Sequence, residues 1–143
     1  MKIVIDNNIF FSLMNPFSAA SYIFFFLNSK KIFAPEFIKS EFERHKEICL
    51  FKSGLSEHEF ELRQEEVEEK INFIKLSEYE DFLKKSLKAI HDSDDVDFLA
   101  LAIKFNSIIW SNDSDFKKQN LIRTFTTIEM LNKLLDSEIG MKD

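Results

Sequence analysis

Short apolar runs at residues 2–5 (KIVI), 32–34 (IFA) and 107–110 (SIIW) are separated by long stretches of helical periodicity. Runs of this length suit buried strands, whereas helices need ten or more residues. Strands that alternate with helices imply parallel pairing, because a parallel connection must cross back over the sheet. The expected fold class is therefore α/β, with a central, mostly parallel sheet flanked by helices.

The intervening segments carry their own punctuation. Residues 18–29 have an apolar helical pattern, within which residues 22–27 are too short to span a bilayer and read as a buried helix. Pro35 suits the first position of a helix running to residue 50. Gly54 breaks the chain, and Ser56 with Glu59 makes a capping-box pattern for the next helix. Phe60, Val67, Ile71 and Ile74 share one face of that helix, although residues 71–76 also suit a strand. Ser77 and Glu80 repeat the capping pattern. Residues 91–94 are a polar interruption, and residues 96–105 are almost wholly apolar, as in a buried helix. Residues 111–115 read as a polar loop and 123–125 as a last short strand, and Thr126 or Thr127 caps a closing helix.

With 143 residues, no repeat and no linker, a single domain over residues 1–143 is expected. Only 2 Gly and 2 Pro leave room for many helices, and 17 Phe point to aromatic core filling. Cys49 is the one cysteine, so no internal disulfide forms; with no secretory pattern, a cytoplasmic location is expected. The formal charge of −6 opposes constitutive binding to nucleic acid, which uses positive charge. That objection is limited. Glu57, Glu59, Glu61, Glu65, Glu66, Glu68 and Glu69 lie together in one segment, and other acids can be neutralised by cations.

In an open parallel sheet, ligands bind at the carboxyl ends of the strands. Asp6 ends the first run, Asp113 and Asp115 follow the strand ending at Trp110, and Asp94 and Asp95 open the apolar helix. Each has an ordinary explanation: a turn for Asp6, a helix cap for Asp94 or Asp95, a loop for Asn112 and Asp113. Together at one edge they repel one another unless cations are shared among them. An all-oxygen set suits Mg²⁺ or Mn²⁺ rather than zinc. His45, His58 and His91 lack metal-ligand spacing, so His45 reads as a helix-surface residue and Cys49 as buried. Lys117 and Lys118 follow the acidic loop and suit either a phosphate backbone or a solvated turn. No glycine-rich phosphate loop or nucleophile elbow is present.

These segments resemble the PIN-domain family, including toxin ribonucleases of the VapC type. IVIDNN, residues 3–8, is similar to the family's first strand, with Asp6 on its first acid and Asn8 on the loop-supporting Asn; Asn7 stands where Thr or Ser is usual. DSDDVDFLALAI, residues 92–103, is similar to the acid-led buried helix. Asp95 best matches the third acid, because Ala100 and Ala102 then fall on small positions; Asp94 and Asp97 are near alternatives. IIWSNDSDF, residues 108–116, places Asp113 on the fourth acid, with Ser111 and Asp115 on accessory positions. APEFIKSEFER, residues 34–44, offers Glu41 as the second acid, although spacing alone does not choose it over Glu36, Glu43 or Glu47.

The resemblance implies a PIN-like three-layer sandwich and metal-dependent hydrolysis of RNA phosphodiesters. Asp6, Glu41, Asp95 and Asp113 would be catalytic ligands of Mg²⁺ or Mn²⁺, joined by Asp115, with Asn8 and Ser111 orienting them. For a short stand-alone chain it further implies the toxin of a toxin–antitoxin pair, an antitoxin partner and a homodimer, and no membrane. The alternatives are a non-catalytic binding module on the same fold, an aspartate-dependent phosphatase and a receiver-like signalling domain. A phosphatase of the haloacid-dehalogenase kind needs an acid where Asn8 stands, and a receiver needs paired acids after the first strand.

Overall fold

In the computed structural model, which describes residues 1–142 and the side chains of residues 1–136, five strands form one sheet in the order β3-β2-β1-β4-β5. They are β1 (Ile3–Ile5), β2 (Ile32–Pro35), β3 (Asn72–Ile74), β4 (Ile108–Trp110) and β5 (Thr124–Phe125). Every neighbouring pair is parallel. The helices are α1 (Asn7–Ser12), α2 (Ala19–Phe26), α3 (Ile38–Ser53), α4 (Glu57–Glu69), α5 (Leu76–Tyr79), α6 (Leu83–Ala89), α7 (Val96–Phe105) and α8 (Thr127–Lys142).

The chain winds outward from β1 through β2 to β3, then crosses back to place β4 on the other side of β1. The winding reverses between β1 and β4, whose register pairs Ile5 with Trp110. Such a reversal opens a crevice at the carboxyl ends of the two strands. Both strands end in the core: Ile3, Val4, Ile5, Ile109 and Trp110 are almost wholly excluded from solvent. Helix α7 packs against β1, β2 and β4, and its Phe98, Leu99, Ala100, Leu101 and Ala102 are buried. Many of the Phe side chains fill the core as interlocking pairs, among them Phe10 edge-on to Phe42 and Phe98 edge-on to Phe116, whereas Phe17, Phe25, Phe26 and Phe51 are exposed.

Several boundaries differ from the sequence expectation, each for a tertiary reason. Pro35 does not open a helix but ends β2, paired with Ile74; the next residue, Glu36, extends the ladder through its N–H to the Ile74 carbonyl at 2.8 Å. Of the two readings of residues 71–76, helix end or strand, the strand holds, because residues 72–74 pair with β2. Ser77 and Glu80 form no capping box; α5 starts at Leu76 without a side-chain cap. Residues 22–27 are not a buried helix throughout: Ile23 and Phe24 are buried, whereas Tyr22 and Phe26 face solvent at 60% and 73% exposure. Helix α1 has no apolar periodicity of its own to announce it. The Ser56–Glu59 capping box forms on α4, and Gly54 closes α3 in the left-handed conformation. At α8 the cap is Thr126, whose hydroxyl accepts from Glu129 N–H at 3.2 Å, while Thr127 accepts from the Trp110 indole at 3.1 Å.

Candidate active site

The crevice at the carboxyl ends of β1 and β4 is a cleft of about 670 Å³ whose lining includes Asp6, Glu41, Asp95 and Asp113. Four elements deliver these acids. Asp6 follows β1, Glu41 lies in the first turn of α3, Asp95 precedes α7, and Asp113 follows β4.

Asp6 is 5% exposed and is held by both oxygens. Its Oδ1 caps α1 by accepting from Ile9 N–H at 2.9 Å, and its Oδ2 accepts a short hydrogen bond from the Ser111 hydroxyl. Ser111 is fully buried and in turn accepts from Asp113 N–H at 3.0 Å, so one hydroxyl ties the end of β1 to the loop after β4. Burial pushes the Asp6 pKa above the ordinary carboxylate value; the bonds from Ser111 and Ile9 oppose this, and the charge of Asp113 adds to it. Asp113 also caps the 3₁₀ turn at Ser114–Lys118, its Oδ1 accepting from Asp115 N–H at 2.9 Å.

Asp95 differs from its neighbours. It occupies the cap position of α7 but makes no capping hydrogen bond, and its Oδ2 is buried without any hydrogen-bond partner. Burial, followed by the charges of Asp92, Asp113, Asp6 and Asp115, raises its pKa from 3.8 to about 7. Among the described residues, the carboxylate oxygens that gather within 4.8 Å of one another are those of Asp92, Asp95 and Asp115, while Asp6, Glu41 and Asp113 line the same cleft outside that group. An orphaned buried oxygen amid carboxylates fits a hard divalent cation, and the all-oxygen donors suit magnesium or manganese.

The remaining expected residues fall as follows. Of the four glutamates that spacing left open, Glu41 lines the cleft, ion-paired with Arg44 one turn on. Glu36, Glu43 and Glu47 are exposed and are not among the residues lining it. Asp94 lies at the cleft and is exposed; Asp97 turns to a smaller adjoining cleft, where Tyr79 donates to its Oδ2 at 2.6 Å. Asp115 pairs with Lys118 at 2.8 Å. Lys117 pairs with Glu129 at 2.6 Å, so both lysines after the acidic loop are engaged locally. Asn8 lines the cleft with an exposed side chain, whereas the Asn7 Oδ1 is buried and unpartnered. Asp92 was not singled out from sequence. It sits in a polar loop and accepts from Asp94 N–H at 2.9 Å, the signature of a plain turn; that turn sets it beside Asp95, whose N–H donates to the Asp92 carbonyl at 3.1 Å, and the fold brings Asp115 to both.

Among the described residues, no helix is long and apolar enough to cross a membrane. No curated protein matches the sequence. A crystal structure of VapBC2 from Rickettsia felis, bound to a DNA fragment from their promoter, is similar in fold: its TM-score is 0.61 at 17% sequence identity, over 88% of this chain and 98% of that one. The PIN-domain profile matches residues 4–134, nearly the whole chain. The chain therefore belongs to the PIN-domain family, a family of nucleases.

Proposed function

We propose that the chain is a single-domain, metal-dependent ribonuclease whose catalytic carboxylates are Asp6, Glu41, Asp95 and Asp113. The observation that carries this reading is Asp95: a buried, unpartnered carboxylate oxygen surrounded by other acids in the cleft. A structural acid at a helix start normally caps the helix; this one is left free.

Asp6, Glu41, Asp95 and Asp113 would hold a divalent cation, which would supply Lewis-acid chemistry by lowering the pKa of a water and offsetting charge during phosphodiester hydrolysis. The protein supplies orientation. Ser111 fixes the Asp6 carboxylate from one side and the α1 backbone fixes it from the other, so its oxygens do not reorganise when a ligand arrives. Burial and the neighbouring acids raise the Asp95 pKa to about 7, so a cation held there would favour its ionised form. Glu41 closes the cleft from α3, and Asp115 and Asp92 add negative charge beside Asp95.

The test is cleavage of an unstructured RNA by purified protein with Mn²⁺ or Mg²⁺. Activity should vanish with EDTA and fall by at least about 100-fold in Asp6→Asn, with the fold unchanged by circular dichroism, since Asn caps a helix as well as Asp does. Full activity in Asp6→Asn sinks the assignment, and cleavage that survives EDTA sinks the metal. Binding of Mn²⁺ by calorimetry separates this reading from a non-catalytic module on the same fold.

The similarity in fold to VapBC2 supports a role as the toxin of a toxin–antitoxin pair. An antitoxin would then cover the acidic cleft with a cationic group. Co-purification with the product of a neighbouring reading frame, and loss of RNA cleavage in that complex, is the expected result.

A further inference from the structure

The cleft extends well beyond the carboxylates, along a channel between α1 and α3. On α3 the residues lining it are Glu41, His45, Ile48, Cys49, Lys52 and Ser53, spaced so that one helix face forms the wall. From Glu41 to Lys52 the helix rises roughly 16 Å. Charge changes along this wall from acidic at the carboxylates to basic at the far end. Opposite stand Asn8, Phe11 and Asn15. The rings of Phe11 and His45 meet at 5.4 Å between centroids. Asn8, His45 and Lys52 make no hydrogen bond or ion pair through their side chains among the described residues, and Asn15 uses only its Oδ1, to accept from Phe17 N–H.

The adjoining smaller cleft gives the contrast. It shares Asn7, Glu41 and Asp94 with the main one, adds Asp97 and Tyr79, and has no cationic side chain in its lining. A polyanion leaving the carboxylates on that side meets only more negative charge.

We propose that the channel between α1 and α3 seats the nucleotides flanking the scissile phosphate of a single-stranded RNA. The Phe11–His45 pair stacks a base, Lys52 pairs with a phosphate further along, and Asn8 and Asn15 offer hydrogen bonds to base edges. The kind of strand rests on the ribonuclease reading above; the subsite rests on the channel. Aromatic platforms beside cations are what unpaired strands require, and a duplex does not offer its base faces for stacking.

The test is equilibrium binding of a labelled, unstructured RNA of about ten nucleotides to the full chain, by fluorescence anisotropy at pH 8 in Ca²⁺, with the strand checked intact on a gel. Both His45 and Lys52 are exposed, so their substitution should leave thermal unfolding unchanged. Lys52→Ala should weaken binding about tenfold and make the slope of log affinity against log salt shallower by about 0.7, one phosphate's share for a single strand. Lys52→Arg should restore both. His45→Ala should weaken binding about tenfold with the salt slope unaltered. If wild type does not bind RNA, or both alanine variants bind as wild type does, the subsite is wrong. If binding behaves as expected but wild type does not cleave in Mn²⁺, the subsite stands and the ribonuclease reading falls.

Discussion

Helices α4 and α7 both start at polar, acid-rich turns, yet the two starts are built to opposite ends. At α4, Ser56 accepts from Glu59 N–H at 3.2 Å and Glu59 accepts from Ser56 N–H at 3.0 Å, so each orphan donor is satisfied. Hydrogen bonds from Ser56 hold the Glu59 pKa below its ordinary value. At α7, the Asp95 side chain satisfies no backbone donor, keeps an unpartnered oxygen and has its pKa raised to about 7. The same kind of residue stabilises the fold in one place and opposes it in the other. An acid that gives up its capping role at a crowded sheet edge is the contrast on which the ligand role proposed for Asp95 rests.

Replacing Asp95 tests that contrast most severely. Asp95→Asn should reduce RNA cleavage in Mn²⁺ by at least about 100-fold while stabilising the metal-free protein at pH 7.5. The direction follows from the raised pKa: a buried charge repelled by Asp92 and Asp113 is removed. After discounting for the solvent that reaches this partly exposed group, the gain is about 1–2 kcal/mol. Loss of stability in this variant would mean that Asp95 is a structural cap after all.

The pH dependence sharpens the comparison next. Between pH 3.8 and about 7 the unfolded chain has released the Asp95 proton while the folded chain retains it. The Asp95 contribution to stability therefore falls as pH rises through that window and is constant above it. The difference in urea midpoint between Asp95→Asn and wild type should grow from pH 4 to pH 7 without metal, and collapse when Mn²⁺ is added. A difference that does not vary with pH would contradict the raised pKa.

The smallest effect belongs to α4. Ser56→Ala should cost about 1 kcal/mol and lower the unfolding midpoint by about 4 °C, with cleavage unchanged. Altered cleavage would couple α4 to the site.

The capping box at Ser56 and Glu59, the strands ending at Ile5 and Trp110 and the apolar helix α7 were all legible in the chain, because each depends on spacing within a few residues. The parallel α/β architecture followed from their alternation, and the family followed from IVIDNN, DSDDVDFLALAI and IIWSNDSDF. Tertiary structure decided the rest. Residues 72–74 are a strand because β2 takes up their hydrogen bonds, and Pro35 ends a strand because Ile74 lies beside it. The lining of the cleft by Glu41, and not by three nearby glutamates, depends on how α3 packs against α1, which no local pattern encodes. Asp115 joins the turn that holds Asp92 and Asp95 through the fold alone. Local hydrogen bonding and periodicity act over a turn or a pleat, whereas a shared charge site is assembled from groups far apart in the chain, and only packing sets their distances.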